Sequence, residues 1–171
     1  FLCLQGVPMR TSAAQAPSEV AARLDKLLDA GKVREADSVS TRHLSERASD
    51  PKIHEEIGRV YFEHEQWERA ASLFRKSLEL QPRNDSAHLL LGLSLTEMKQ
   101  PEEAERELLL AVQQNPRSET NCFMAGRQLM MRGKYEASLP YFYKAVELNP
   151  SSVRALQGLA GALARTGSYA L

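Results

Sequence analysis

The chain has 171 residues and balances 22 lysines and arginines against 22 aspartates and glutamates, for a formal net charge of zero at neutral pH. That balance offers no basic surface for a phosphate backbone or an anionic membrane, so nucleic acid is not an expected partner. With two cysteines, Cys3 and Cys122, a disulfide framework does not organise the fold, and no stretch approaches the ~18 apolar residues of a membrane span.

The first residues differ in kind from the rest. Phe1-Leu2-Cys3-Leu4 is apolar, and Ser12-Ala13-Ala14 resembles a small-residue processing site. Gln5, Gly6 and Pro8 break the apolar run, and no basic stretch precedes it. Residues 1–16 therefore read either as the tail of an export signal or as a leader without fixed structure, and the location, exported or periplasmic versus cytoplasmic, stays open. The chain opens on Phe and stops inside a unit of its own pattern, so it is expected to be a piece of a longer reading frame.

From residue 17 onward one spacing governs. Gly58, Gly92 and Gly126 stand 34 residues apart, as do Pro82, Pro116 and Pro150. Asp50, Asn84, Ser118 and Ser152 keep the same spacing, and all four are types that cap helix N-termini. A fixed period of this length marks an array of one repeated unit. The unit at 17–50 is degenerate: Gly31 and Ala36 keep the register, but Arg23 and Ala48 replace the expected Leu and Pro. Units 51–84, 85–118 and 119–152 are complete, and 153–171 is a partial unit holding a first helix.

Count Pro51 as position 1. His54, Ile57, Gly58 and Tyr61 then form one stripe at about 100° per residue, an amphipathic helix over Pro51 to Glu63. Ala70, Phe74, Ser77 and Leu78 form the opposing stripe of a second helix, with Gly58 admitting close approach and Phe74 filling the space beside Ala70. Gly31, Gly133 and Gly167 share position 15 and can take the left-handed conformation that ends a helix, while Pro101 sits in a helix first turn. Trp67, Tyr135 and Tyr169, at position 17, brace the start of the second helix, and the proline at position 32 stops it.

Three elements of this pattern, Ile57-Gly58-x-x-Tyr61, Ala70-x-x-x-Phe74 and Pro82, resemble the tetratricopeptide repeat. Leu91-Gly92-x-x-Leu95, Ala104-x-x-x-Leu108 and Pro116 repeat them, as do Ala125-Gly126-x-x-Leu129, Ser138-x-x-x-Phe142 and Pro150. The resemblance implies an all-α fold of tandem helix-turn-helix units wound into a right-handed α-α superhelix. It also implies a non-enzymatic scaffold whose first helices line a concave groove for peptides or partner helices.

Catalysis would need a nucleophile with a base, a metal cluster or a phosphate cradle, and none has the required spacing. Gly158, Gly161 and Gly167 lack a preceding strand and a following Lys-Ser/Thr pair. His54-Glu55 begins like a zinc-binding helix motif, but the fourth residue on is Gly58. His54 and His88 share a packed position and read as structural, while His43 and His64 read as solvated. Glu55-Glu56 and Glu102-Glu103 do not face each other on a helix, so these carboxylates, with Glu105, read as solvated faces and helix-dipole partners. Cys122 reads as a small core hydrophobe. No catalytic residue, cofactor or metal is expected.

Positions 2, 5, 6, 9, 12 and 13 remain on the face opposite the packed stripe. In the first complete unit they are Lys52, Glu55, Glu56, Arg59, Phe62 and Glu63, mostly charged. In the next two they are Ser86, Leu89, Leu90, Leu93, Thr96 and Glu97, then Thr120, Phe123, Met124, Arg127, Met130 and Met131, so these helices are apolar nearly all round. The candidate partner-binding residues are Leu89, Leu90, Leu93, Phe123, Met124, Arg127 and Met130, facing an apolar segment of a protein or peptide partner. Methionine suits such a surface because an unbranched thioether repacks around different shapes. In the competing reading a tightly curled array buries positions 5, 6 and 9 between its own repeats. The co-chaperone members of the family clamp a peptide carboxylate with Lys, Asn and Arg, and Glu55, Leu90 and Met124 do not supply that set. Two other functions stay open: an accessory region of a larger enzyme, such as a glycosyltransferase or peptidase, and a self-assembly module.

Overall fold

The computed structural model describes residues 18–167, so the readings made of the 1–16 leader, of Cys3, of Pro17 and of Tyr169 lie outside it. The described residues form nine α-helices and no strand: α1 (Glu19–Asp29), α2 (Val33–Glu46), α3 (Pro51–Glu63), α4 (Trp67–Leu80), α5 (Asp85–Glu97), α6 (Pro101–Gln114), α7 (Glu119–Met131), α8 (Tyr135–Leu148) and α9 (Val153–Thr166). Among them no helix is long and apolar enough to cross a membrane.

Each odd-numbered helix starts on a capping side chain. Asn84, Ser118 and Ser152 accept the backbone N–H of Ala87, Asn121 and Ala155, and Asp50 accepts that of Lys52, each satisfying an amide that has no partner within its helix. α1 departs from this spacing. Residue 16 is an Ala without a side-chain acceptor, and the cap falls on Ser18, which accepts from Ala21 and also sends its own N–H to Glu56 at 2.7 Å.

The turns inside the hairpins close in one way. The N–H of Lys32, Gln66, Gln100 and Lys134 donates to the carbonyl five residues back, on Leu27, Tyr61, Leu95 and Leu129, at 2.8–2.9 Å. This closure needs a left-handed residue just before the donor. Gly31 and Gly133 supply it at φ 70° and 72°, and Gly167 ends α9 at 70°. Glu65 and Lys99 take the same conformation at φ 57°, although a side chain there is disfavoured by about 1–2 kcal/mol.

Packing follows the expected alternation of small and large. Gly58 faces Phe74, Gly92 faces Leu108, and the Phe142 ring lies between Gly126 of α7 and Gly158 of α9. The first helices touch one another at α1–α3, α3–α5 and α7–α9. The second helices stand farther apart, bridged by long side chains such as Arg75 and Glu103 at 3.0 Å. The array therefore curves with α1, α3, α5, α7 and α9 on its inner side. Its core is not one mass but successive clusters, one running from α1 to α6, the next from α5 to α8 and the third from α6 to α9.

Polar side chains stitch these layers. Glu105, expected to be solvated, is largely covered and receives Arg132 at 2.6 Å and Lys134 at 2.7 Å from the next hairpin. Glu119 binds Arg154 of α9 in the same manner. Asp37 of α2 accepts from the Tyr61 hydroxyl and from Arg69, both at 2.8 Å, and burial together with that carboxylate pushes the phenol up to about 12. α8 runs through Pro140, whose ring lies exposed on the outer surface. There water can reach the carbonyl that the missing N–H leaves free.

His54 and His88 are buried, as the pattern implies. Both nitrogens of His88 face acceptors, Glu107 at 2.7 Å and the Pro82 carbonyl at 3.2 Å, a setting that favours the protonated ring, in which both nitrogens donate. Burial opposes that charge, but the bonds to Glu107 and Pro82, helped by the fields of Glu107 and Asp85, outweigh it and raise the pKa. A raised folded-state pKa gives stability that is complete below the unfolded value of about 6.5 and is lost as pH rises through the folded value. The melting temperature of wild type should thus exceed that of His88→Gln by more at about pH 6 than at about pH 9. A gap that widens with pH would contradict this pairing.

Candidate interaction groove

The inner side begins charged at α3. Glu55 accepts from Arg59 and from the Asn84 amide, each at 2.6 Å; burial pushes its pKa up, but these donors outweigh that and hold it below the ordinary value. Arg59 also reaches Ser86 of α5. Expected as a solvated carboxylate, Glu55 is instead a tie between consecutive first helices.

From α5 to α7 the surface turns apolar, and the predicted residues divide. Leu89 and Met124 are buried in the cluster formed by α5, α6 and α7, and Leu90 is buried in the preceding cluster, which includes residues of α3 and α4. Leu93, Phe123, Arg127 and Met130 are half-buried and open to the inner side. The curvature that brings first helices together thus consumes part of the apolar face and leaves the remainder accessible. Phe123 also supports the fold: its ring centroid lies 6.0 Å from that of Phe142, and the Arg154 guanidinium sits 5.1 Å over its ring. Met130 approaches Gly161 of α9.

A shallow depression, open to solvent, lies between α5 and α7, lined by Leu93, Thr96, Leu108, Met124, Arg127, Gln128 and Met131. It has room for about one water molecule, far below the ~300 Å³ from which small-molecule sites usually run, so it is a dent in an apolar surface rather than an enclosed pocket. Met131, on its rim, is 60% exposed. Gln128 is missed by the face pattern because position 10 lies between the two stripes. It is buried, donates to the Pro101 carbonyl at 3.1 Å and accepts from Thr96 at 3.2 Å, fixing one wall.

One cluster elsewhere brings candidate metal ligands together: Asp25 and Asp29 of α1 with His64, the residue after α3. His64 is not solvated as expected. Its Nε2 meets Asp25 at 2.8 Å and its Nδ1 lies 4.0 Å from Asp29. The bond to Asp25 ties α1 to the turn after α3. Cys122 is fully buried, and burial pushes its thiol pKa up, which makes it unreactive.

A search of curated proteins finds no match. Among solved structures, one of MamA superposes with a TM-score of 0.75 at 18% identity, covering 84% of each chain. MamA from Desulfovibrio magneticus gives 0.72 at 22% identity over 90% of this chain and 89% of its own. The first tetratricopeptide domain of Spaghetti (RPAP3), solved with the HSP90 peptide SRMEEVD, gives 0.66 at 19% identity over 69% of this chain and 94% of its own. At these identities the likeness is one of fold. Two family models described as tetratricopeptide repeat match residues 61–122 and 123–171. With the repeated capping rows, the glycine-to-aromatic packing and the hairpin array, they establish that the chain belongs to the tetratricopeptide repeat family.

Proposed function

We propose that this chain is a non-enzymatic protein-interaction scaffold that holds a peptide or a partner helix along its inner side between α5 and α7. The observation that carries the reading is the change of character along that side. Glu55 and Arg59 of α3 neutralise each other, whereas Leu93, Met130 and Met131 present accessible apolar surface beside a shallow depression. An accessible apolar patch of this kind is the usual mark of an interaction site. That the RPAP3 domain is solved with a peptide supports the same use of the fold. The ligand chemistry differs, since Glu55, Leu90 and Met124 stand where co-chaperone members place the groups that grip a carboxylate terminus.

The test begins with peptides selected from a random dodecapeptide library on the immobilised chain. Met131→Asp should weaken the selected peptides about tenfold, equivalent to about 1.4 kcal/mol, while leaving helical content unchanged, because the side chain is exposed. Tyr143→Asp, at a 53% exposed position on α8, should leave binding intact. The reverse result would move the site to the outer surface.

A further inference from the structure

Four arginines among the described residues are half-buried: Arg59, Arg127, Arg132 and Arg154. Three hold carboxylates. Arg59 meets Glu55 at 2.6 Å, Arg132 meets Glu105 at 2.6 Å, and Arg154 is paired with Glu119. The fourth, Arg127, makes no ion pair among the described residues, and its one side-chain hydrogen-bond partner there is the sulfur of Met124, at 3.9 Å. The reason is written in the repeat. Arg59 and Arg127 occupy the same position, and the residue one turn earlier is Glu55 in one repeat and Phe123 in the other. The array keeps the guanidinium and drops its counter-charge at the place where the groove turns apolar.

We infer that the groove takes a peptide segment in which an aspartate or glutamate is flanked by apolar side chains, the carboxylate being received by Arg127 and the apolar neighbours by Leu93 and Met131. This rests on the groove reading above and specifies its ligand. A guanidinium already half withdrawn from water gains more from a carboxylate than a solvated one does, and its planar fork favours two parallel hydrogen bonds to that group. The apolar walls lower the local dielectric and strengthen the pair. Thr96 and Gln128, on the same depression, already hydrogen-bond each other and bring no second charge. A phosphate backbone would need a row of free cations, and the nearest other half-buried arginines are neutralised.

The experiment selects the random dodecapeptide library in parallel on wild type, R127Q and R127E. Wild type should enrich apolar sequences with one fixed acidic position, and R127E should replace that position with Lys or Arg. A synthetic peptide from the wild-type selection should lose about tenfold in affinity when its acidic residue becomes the amide, while the same pair should differ by less than about twofold on R127Q. The wild-type arm of that comparison does not depend on how well either variant folds. Enriched peptides without an acidic position, or an acidic position kept on R127Q, would overturn the inference and leave the groove standing. Enrichment of no peptide at all would overturn both.

Discussion

Phe142→Ala should lower the unfolding free energy by about 3–5 kcal/mol. The ring has no exposure and is shared by two repeats. A Cβ added at Gly126 would lie 3.1 Å from it, and one added at Gly158 would lie closer still, so α7 and α9 both approach the ring as near as glycine allows. Removing it opens a cavity flanked by Gly126 and Gly158, which have no side chains to fill it. Denaturant unfolding followed by circular dichroism reads the change. A loss below about 1 kcal/mol would show that the hairpins close over the gap and that the ring does not couple them.

Gly92→Leu should cost about 1–3 kcal/mol by the opposite mechanism, overfilling. A Cβ at this position would stand 2.7 Å from Leu108 Cγ, 2.9 Å from Leu108 Cδ2 and 3.3 Å from the Ala104 carbonyl oxygen. The leucine can rotate, but the backbone oxygen moves only with α6. The two side chains therefore couple: Leu108→Ala should be less damaging in the Gly92→Leu background than in wild type, by a difference above the ~0.5 kcal/mol seen for independent sites. Additive losses, or an unchanged melting temperature for Gly92→Leu alone, would tell against close approach of α5 and α6 at this glycine.

Much of this architecture is legible in the sequence because repetition multiplies weak signals. One Ser before an apolar run says little; Asp50, Asn84, Ser118 and Ser152 in a single register specify four helix starts. The same logic reads Gly31 and Gly133 as turns, yet it is silent at Glu65 and Lys99, where the conformation is imposed by the closing hydrogen bond rather than by the residue. The carboxylates are harder to read. Glu105 looks like a first-turn residue facing water, and only the stacking of hairpins brings Arg132 and Lys134 over it. For the groove, periodicity separates apolar from charged faces but carries no information on curvature. Curvature decides that Leu89 and Met124 are buried while Leu93 and Phe123 stay partly open. Arg127 is a partial exception, since its missing partner is visible as Phe123 in place of Glu55. Its withdrawal from solvent is not.

A core divided into clusters along an axis gives the molecule a mechanical character that a single core would not. Each hairpin packs on its neighbours, so bending would be shared among successive interfaces instead of being resisted by one core. The radius of the inner side is then a variable rather than a constant. Bending of the array would load contacts such as Glu119 with Arg154 that span consecutive first helices. Tension applied to the two ends would open those interfaces in turn and flatten the surface on which a ligand sits. In a chain built this way, stretch and occupancy are two readings of one curvature.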